Sequence, residues 1–189
     1  MTLSDNLLIL EKAGLISLAA VRPEPEFTFR HALVQNIAGG NTMILNTAGW
    51  RLVRAAAAEA RRVVVHDWWI YQIVSGAGGR VLFDREPGLL YRQHGGNMIG
   101  ANRGAGARLR RLRALLSGRF RRWTSVNLVA LRASAHRLSP GNRALVEALA
   151  EGRRQGLFGR LRMLRRTGLY RQGPAGRLSL LLAALLGRL

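Results

Sequence analysis

Val63-Val64-Val65-His66-Asp67-Trp68-Trp69, continuing from Ile70 to Gly76, is the stretch on which the reading of the fold turns. Its β-branched run reads as a short buried strand, with Asp67 at the carboxyl end. Trp68 to Gly76 then reads as a helix, closed by the glycines at 76, 78 and 79. Upstream, Thr42-Met43-Ile44-Leu45 reads as a strand or sheet edge. Ala48 to Arg62 reads as a helix with Trp50, Val53 and Ala57 at helical spacing. Downstream, Arg80 to Asp84 and Leu89 to Gln93 read as short strands around the Glu86-Pro87-Gly88 turn. This order predicts an α/β sheet with polar residues gathered at strand ends, where open sheets bind ligands.

Three regions are expected: an N-terminal segment 1–30 of undetermined type, an α/β region 31–102, and an Arg-rich α-helical region 103–189. In the first, Leu7 to Leu18 reads as a short helix ended before Pro23 and Pro25. In the last, Ala105 to Arg137, Arg143 to Glu151 and Leu157 to Arg166 read as helices, with Ser139-Pro140-Gly141-Asn142 and Gly173-Pro174 as breaks. The net charge of +20 is concentrated there: residues 103–189 hold 20 arginines against Glu147 and Glu151. A hydrophobic content of 48% argues against global disorder, and the absence of cysteine excludes disulfides and thiolate metal sites. Met1 to Asp5 shows no secretory pattern, so a cytoplasmic protein is expected. The apolar run Leu178 to Leu186 is shorter than the roughly 20 residues that span a bilayer.

Only three aspartates occur, Asp5, Asp67 and Asp84, so a site using an aspartate has few candidates. Asp67 stands beside two indoles, and 25 residues after Asp67 begins Arg92-Gln93-His94-Gly95-Gly96-Asn97, a histidine in a glycine-rich turn. Carboxylate, imidazole and aromatic walls are the components of a sugar-handling site that also holds a divalent metal.

Three segments, Gln35-Asn36-Ile37-Ala38-Gly39-Gly40-Asn41-Thr42-Met43, Val65-His66-Asp67-Trp68-Trp69 and Leu90-Tyr91-Arg92-Gln93-His94-Gly95-Gly96-Asn97, together resemble the second half of a family 2 glycosyltransferase of the rhamnosyltransferase-like kind that builds bacterial surface polysaccharides. The resemblance covers about residues 30–105. It implies a partial GT-A, Rossmann-like sheet and inverting transfer from a nucleotide-sugar donor to a glycan or lipid-linked acceptor. Asp67 would be the general base on the acceptor hydroxyl. Gly39, Gly40 and Asn41 would let backbone approach the sugars, with Trp68, Trp69, Arg92 and Gln93 also at the donor and acceptor site. His94 would complete a metal site, and a mixed oxygen and nitrogen ligand set favours Mn²⁺ over Mg²⁺. The metal would neutralise the departing diphosphate. The Asp-x-Asp pair of these enzymes does not occur in this sequence. A separate nucleotide-binding half is therefore expected, and this chain alone should transfer sugar weakly or not at all.

Plainer roles stand beside these. Asp67 suits a helix N-cap, His94 a surface turn, and Trp68 and Trp69 a core. His66 is expected to orient its neighbourhood, and His31 and His136 to be structural. The arginine-rich helices, with Phe120 and Trp123 for base stacking, suit a small basic nucleic-acid-binding protein without catalysis. Interleaved leucines suit peripheral attachment to an anionic membrane surface, the reading preferred here because lipid-linked acceptors lie at such a surface.

Overall fold

In the computed structural model, which describes residues 27–40, 42–82, 113–114 and 116–189, Val63 to Trp69 is not a strand running into a helix. Val63 to Val65 is irregular, and the helix begins at His66. Val65 is its N-cap, with extended backbone at φ −143° and ψ 141°. The β-branched residues thus adopt the extended conformation they favour without a partner strand. The Val64 amide donates instead to the Asn127 side chain at 3.4 Å.

The same outcome recurs along the chain. Thr42 to Leu45 is irregular, with Ile44 fully exposed, and Arg80 to Leu82 forms no strand. Leu89 to Gln93 lies outside the described residues, as does Leu7 to Leu18. Among the described residues there is no sheet, and the expected α/β class with a partial Rossmann-like GT-A sheet is overturned. Runs of three or four residues carry β propensity but too few ladder hydrogen bonds to stand without a neighbour.

The chain divides into two units: Pro23–Leu82 with Ala114–Leu189, and Met1–Arg22 with Phe83–Arg113. The second falls outside the described residues except for Arg113. The first is helical, comprising α1 (Phe29–Ala32), α2 (Thr47–Ala57), α3 (His66–Gly76), α4 (Arg119–Ala133), a 3₁₀ turn (Ala135–Arg137), α5 (Pro140–Gly152), α6 (Leu157–Thr167) and α7 (Gly173–Leu185). Among the described residues, no helix is long and apolar enough to cross a membrane.

Helix α3 is the centre. Trp68, Trp69, Tyr71, Gln72, Ile73, Ser75 and Gly76 are all buried, so the helix meets protein on most of its circumference. Its end follows from its glycines. Gly78 takes φ +89°, its amide donates to Ser75 O, and the Gly79 amide donates to Val74 O at 2.9 Å. These two bonds form a Schellman motif, which needs a residue free to enter the left-handed region. Four-residue α1 is too short to persist alone. It is held because the carbonyl of Ala32 accepts from both Trp68 Nε1 (2.7 Å) and Gln72 Nε2 (3.0 Å).

The α2 helix is anchored by Asn46, whose side chain accepts from the Gly49 amide at 2.8 Å. Val53 and Ala56 form its buried face. Trp50 (56% exposed) and Ala57, expected on that face, point to solvent. Ser139 caps α5 with Pro140 in its first turn, so the expected break is a helix start. Across the chain, Arg137 and Ser134 bind the Glu59 carboxylate, tying the end of α2 to the turn after α4.

Arginines close several helix ends. Arg30 Nε donates to the carbonyl of Thr167 at 2.9 Å, and Arg160 Nε to that of Ala184 at 2.6 Å. Cations belong there, since carbonyls at a helix C-terminus are unpaired and carry the negative end of the dipole. Arg171 is buried with its Nε on Val34 O (2.9 Å) and its guanidinium 4.3 Å from the Phe120 ring centroid. Burial lowers its pKa to about 10, which leaves it charged at neutral pH.

Candidate functional site

Two of the three motifs meet in space. Asn36 lies on the loop after α1, and its side chain folds that loop locally: Oδ1 accepts from the Ala38 amide at 3.0 Å, while Nδ2 donates to Ala38 O at 3.1 Å. The same Nδ2 reaches Asp67 Oδ1 at 3.1 Å. The Gly40 amide donates to Asp67 Oδ2 at 3.2 Å. Thr42 then turns the chain back, its amide and hydroxyl both on the Gly39 carbonyl. The glycine loop is thus wrapped around a single carboxylate.

Asp67 sits in the first turn of α3, inside the helix rather than at its N-cap or at the end of a strand. A negative charge there meets unpaired amides and the positive end of the helix dipole. Its Oδ1 also accepts from the Trp68 amide at 2.6 Å. A carboxylate has about four acceptor positions. Asn36 and Trp68 occupy Oδ1, and Gly40 occupies one position on Oδ2. Among the described residues, one lone pair of Oδ2 therefore meets no donor, on a half-buried residue. That position can receive a proton or a hydroxyl from a ligand.

Glycine at position 40 leaves room for the His66 ring. A Cβ there would lie 2.6 Å from His66 Nε2, so the exposed imidazole fills the space a side chain would need. His66 orients its surroundings in this sense: it packs the loop against the start of α3.

The indoles take the plainer of their two roles. Trp68 and Trp69 are 4% and 5% exposed, and Trp68 is fixed by its bond to Ala32 and by edge contact with Trp123, centroids 6.3 Å apart. Neither lines an open acceptor pocket. Trp68 joins α3 to α1 and α4, and Trp69 is buried in the same core. Asn41, Arg92, Gln93 and His94 lie outside the described residues. The expected Mn²⁺ or Mg²⁺ rests on His94, and no group of three or more potential ligands gathers among the described residues.

Asn36 is the site residue that sequence reasoning did not single out. Its signal was present, since an asparagine side chain often bonds its own backbone two residues on, here at Ala38. The histidines expected to be structural are placed as follows. His31 is wholly buried with Nδ1 at 3.0 Å from the Tyr71 hydroxyl, and burial holds its pKa near 4. His136 is exposed beside Glu59 at 3.3 Å.

A shallow groove of about 500 Å³ is lined by Arg62, Arg121, Arg122, Trp123, Ser125 and Val126. It suits an anion, but the rings available for base stacking are engaged. Trp123 is edge-on to both Trp68 and Phe120, and Phe120 lies under Arg171.

Comparison with known proteins adds one relationship. No family model matches the chain, and no solved structure matches it. A 53-residue segment, 28% of the chain, is 38% identical to the dTDP-rhamnosyl transferase RfbG of Shigella flexneri. The match spans 18% of that protein's length, well short of the whole enzyme. The segment hints at a glycosyltransferase relationship and goes no further than that.

Proposed function

We propose that this chain supplies the acceptor side of an inverting sugar transfer of the family 2, rhamnosyltransferase-like kind, with Asp67 as general base. The observation that carries this reading is the Asn36–Gly40 loop closed on Asp67, which fixes the carboxylate by three donors and, among the described residues, leaves one lone pair of Oδ2 open. An acceptor hydroxyl hydrogen-bonded to that lone pair would lose its proton to Asp67 as its oxygen attacks the anomeric carbon. The nucleotide diphosphate departs from the opposite face, so configuration inverts. A well-placed general base accelerates such a step by about 10²–10⁴-fold. The donor is a nucleotide sugar, of the dTDP-linked deoxyhexose type that the relative's name gives. In the absence of an Asp-x-Asp pair, donor binding falls to a separate half, and the chain alone binds acceptor with little turnover.

Ligand-observed NMR with lipid-free acceptor oligosaccharides tests this. The wild-type chain should show saturation transfer to the glycan, Asp67→Asn should retain most of it, and Asp67→Leu should lose it because the oxygens that hold the Asn36–Gly40 loop and accept the hydroxyl are removed. Absence of glycan binding by the wild type, or identical binding by all three proteins, would remove the support for the proposal.

A further inference from the structure

Helix α7 is apolar on opposite sides, although one side faces water. Leu180, Ala183 and Ala184 are buried, while Leu178 (57% exposed), Leu181 (42%), Leu182 (36%) and Leu185 (38%) form a second, outward stripe at i, i+3, i+4 and i+7. A surface helix normally shows water a polar face. Beside the C-terminal end of that stripe lies the start of α6, because Arg160 bonds the carbonyls of Ala184 and Leu185. Phe158, 84% exposed, is in that first turn of α6, and Leu186, 52% exposed, follows the last turn of α7. Along α6, Phe158, Arg162 and Arg165 fall at i, i+4 and i+7, so they share one exposed face. From Gly152 to Leu189 the sequence has nine arginines and no acid.

We propose that the outer faces of α6 and α7 form a monotopic docking surface for an anionic lipid bilayer, inserting Phe158, Leu181, Leu182 and Leu185 among the acyl chains. Charge selects this occupant. An apolar stripe on α7, with exposed Arg162 and Arg165 on the helix bonded to its end, matches a bilayer whose interior is apolar and whose surface is negative. The arginine stems lie along apolar surface while their guanidiniums reach phosphate. A second copy of the chain fits poorly, because a two-fold interface sets the same face against itself and would oppose arginine to arginine. Nucleic acid would pair with the guanidiniums and leave the leucines in water. The proposal is independent of the sugar-transfer reading.

Vesicle flotation of the full chain tests it, with pure phosphatidylcholine against an equimolar mixture with phosphatidylglycerol. The chain should float with anionic vesicles and bind neutral ones at least about tenfold more weakly, an attachment that fades as salt shortens the screening length. Arg162→Gln with Arg165→Gln should lower partitioning by up to about 30-fold. Leu181→Ser with Leu185→Ser should lower it by at least about tenfold while leaving the circular dichroism unchanged, since both side chains are already exposed. Equal binding to both vesicle types, or unaltered binding by the leucine variant, would overturn the proposal. So would a concentration-dependent dimer, abolished by the leucine variant, in a chain that does not float.

Discussion

Replacing Asp67 by Asn separates what the carboxylate does for the fold from what it would do in chemistry. The substitution keeps size and shape, and the retained oxygen can still accept from Asn36 and Trp68 as Oδ1 does. The new amide, placed at Oδ2, faces the Gly40 N–H with a donor against a donor. Losing a charged acceptor costs about 1.5–3 kcal/mol when buried, and less for an exposed loop amide, so about 1 kcal/mol is reasonable. Removing a charge from the first turn of α3 adds about 0.3–1 kcal/mol. The sum, about 1–2 kcal/mol, should appear as a lower urea midpoint with unchanged slope. A double-mutant cycle with Asn36→Ala should give a coupling of about 0.5–1 kcal/mol. If Asp67→Asn were as stable as wild type and uncoupled from Asn36, the carboxylate would not hold the loop, and the proposed base would lose its positioning.

Gly152 ends α5 where α6 crosses it, and a Cβ there would overlap the Cβ and Cγ of buried Met163. Gly152→Val should therefore cost about 1–3 kcal/mol by overpacking, read as a lowered thermal midpoint. Acid should destabilise the protein in two steps of the same sign. His31 is held neutral by burial, with its pKa lowered from 6.5 to about 4, so the unfolded chain binds the extra proton and up to about 3 kcal/mol of stability is lost as pH falls from 6.5 to 4. Glu59, lowered from 4.5 to about 2 chiefly by its bond to Arg137, contributes stability that is present above pH 4.5 and lost as pH falls towards 2. His31→Gln should flatten the upper step in pH-dependent urea titrations and leave the lower one.

The helices of the second half were legible because Pro, Gly and Ser mark their ends: Ser139-Pro140 starts α5, Gly156 precedes α6, and Gly168 follows it with φ +61°. The end of α3 was legible for the same reason, its glycines being placed where a Schellman motif needs them. The sheet was misread because Val63 to Val65 and Thr42 to Leu45 satisfy their β preference as isolated extended backbone. What decides strand from coil there is the neighbour, and the neighbour of Val64 is a side chain of α4, 63 residues away. At the site, Gly40 and Asp67 come from two motifs, 27 residues apart, and meet through one hydrogen bond, which motif order does not contain. Nor could that order show that Asp67 lies inside a helix, or that Asn36 is the residue that closes the loop on it.

Arginine identity alone could not divide the cations between fold and surface. Arg30, Arg153, Arg160 and Arg171 each place Nε on a backbone carbonyl between 24 and 137 residues away, at Thr167, Leu189, Ala184 and Val34 respectively. These bonds are invisible in a sequence window, yet they fix the C-terminal helices to α1 and to one another. A guanidinium suits this work because it stays charged when partly buried and offers several donors in a fixed plane. Its presence in the core also explains why a chain with net charge +20 can fold with few acids: part of its positive charge is neutralised by helix C-termini instead of carboxylates. The charge left for a partner is therefore smaller than composition suggests, and the lipid docking proposed above rests on the exposed arginines of α6 and the bare leucines of α7 more than on the total.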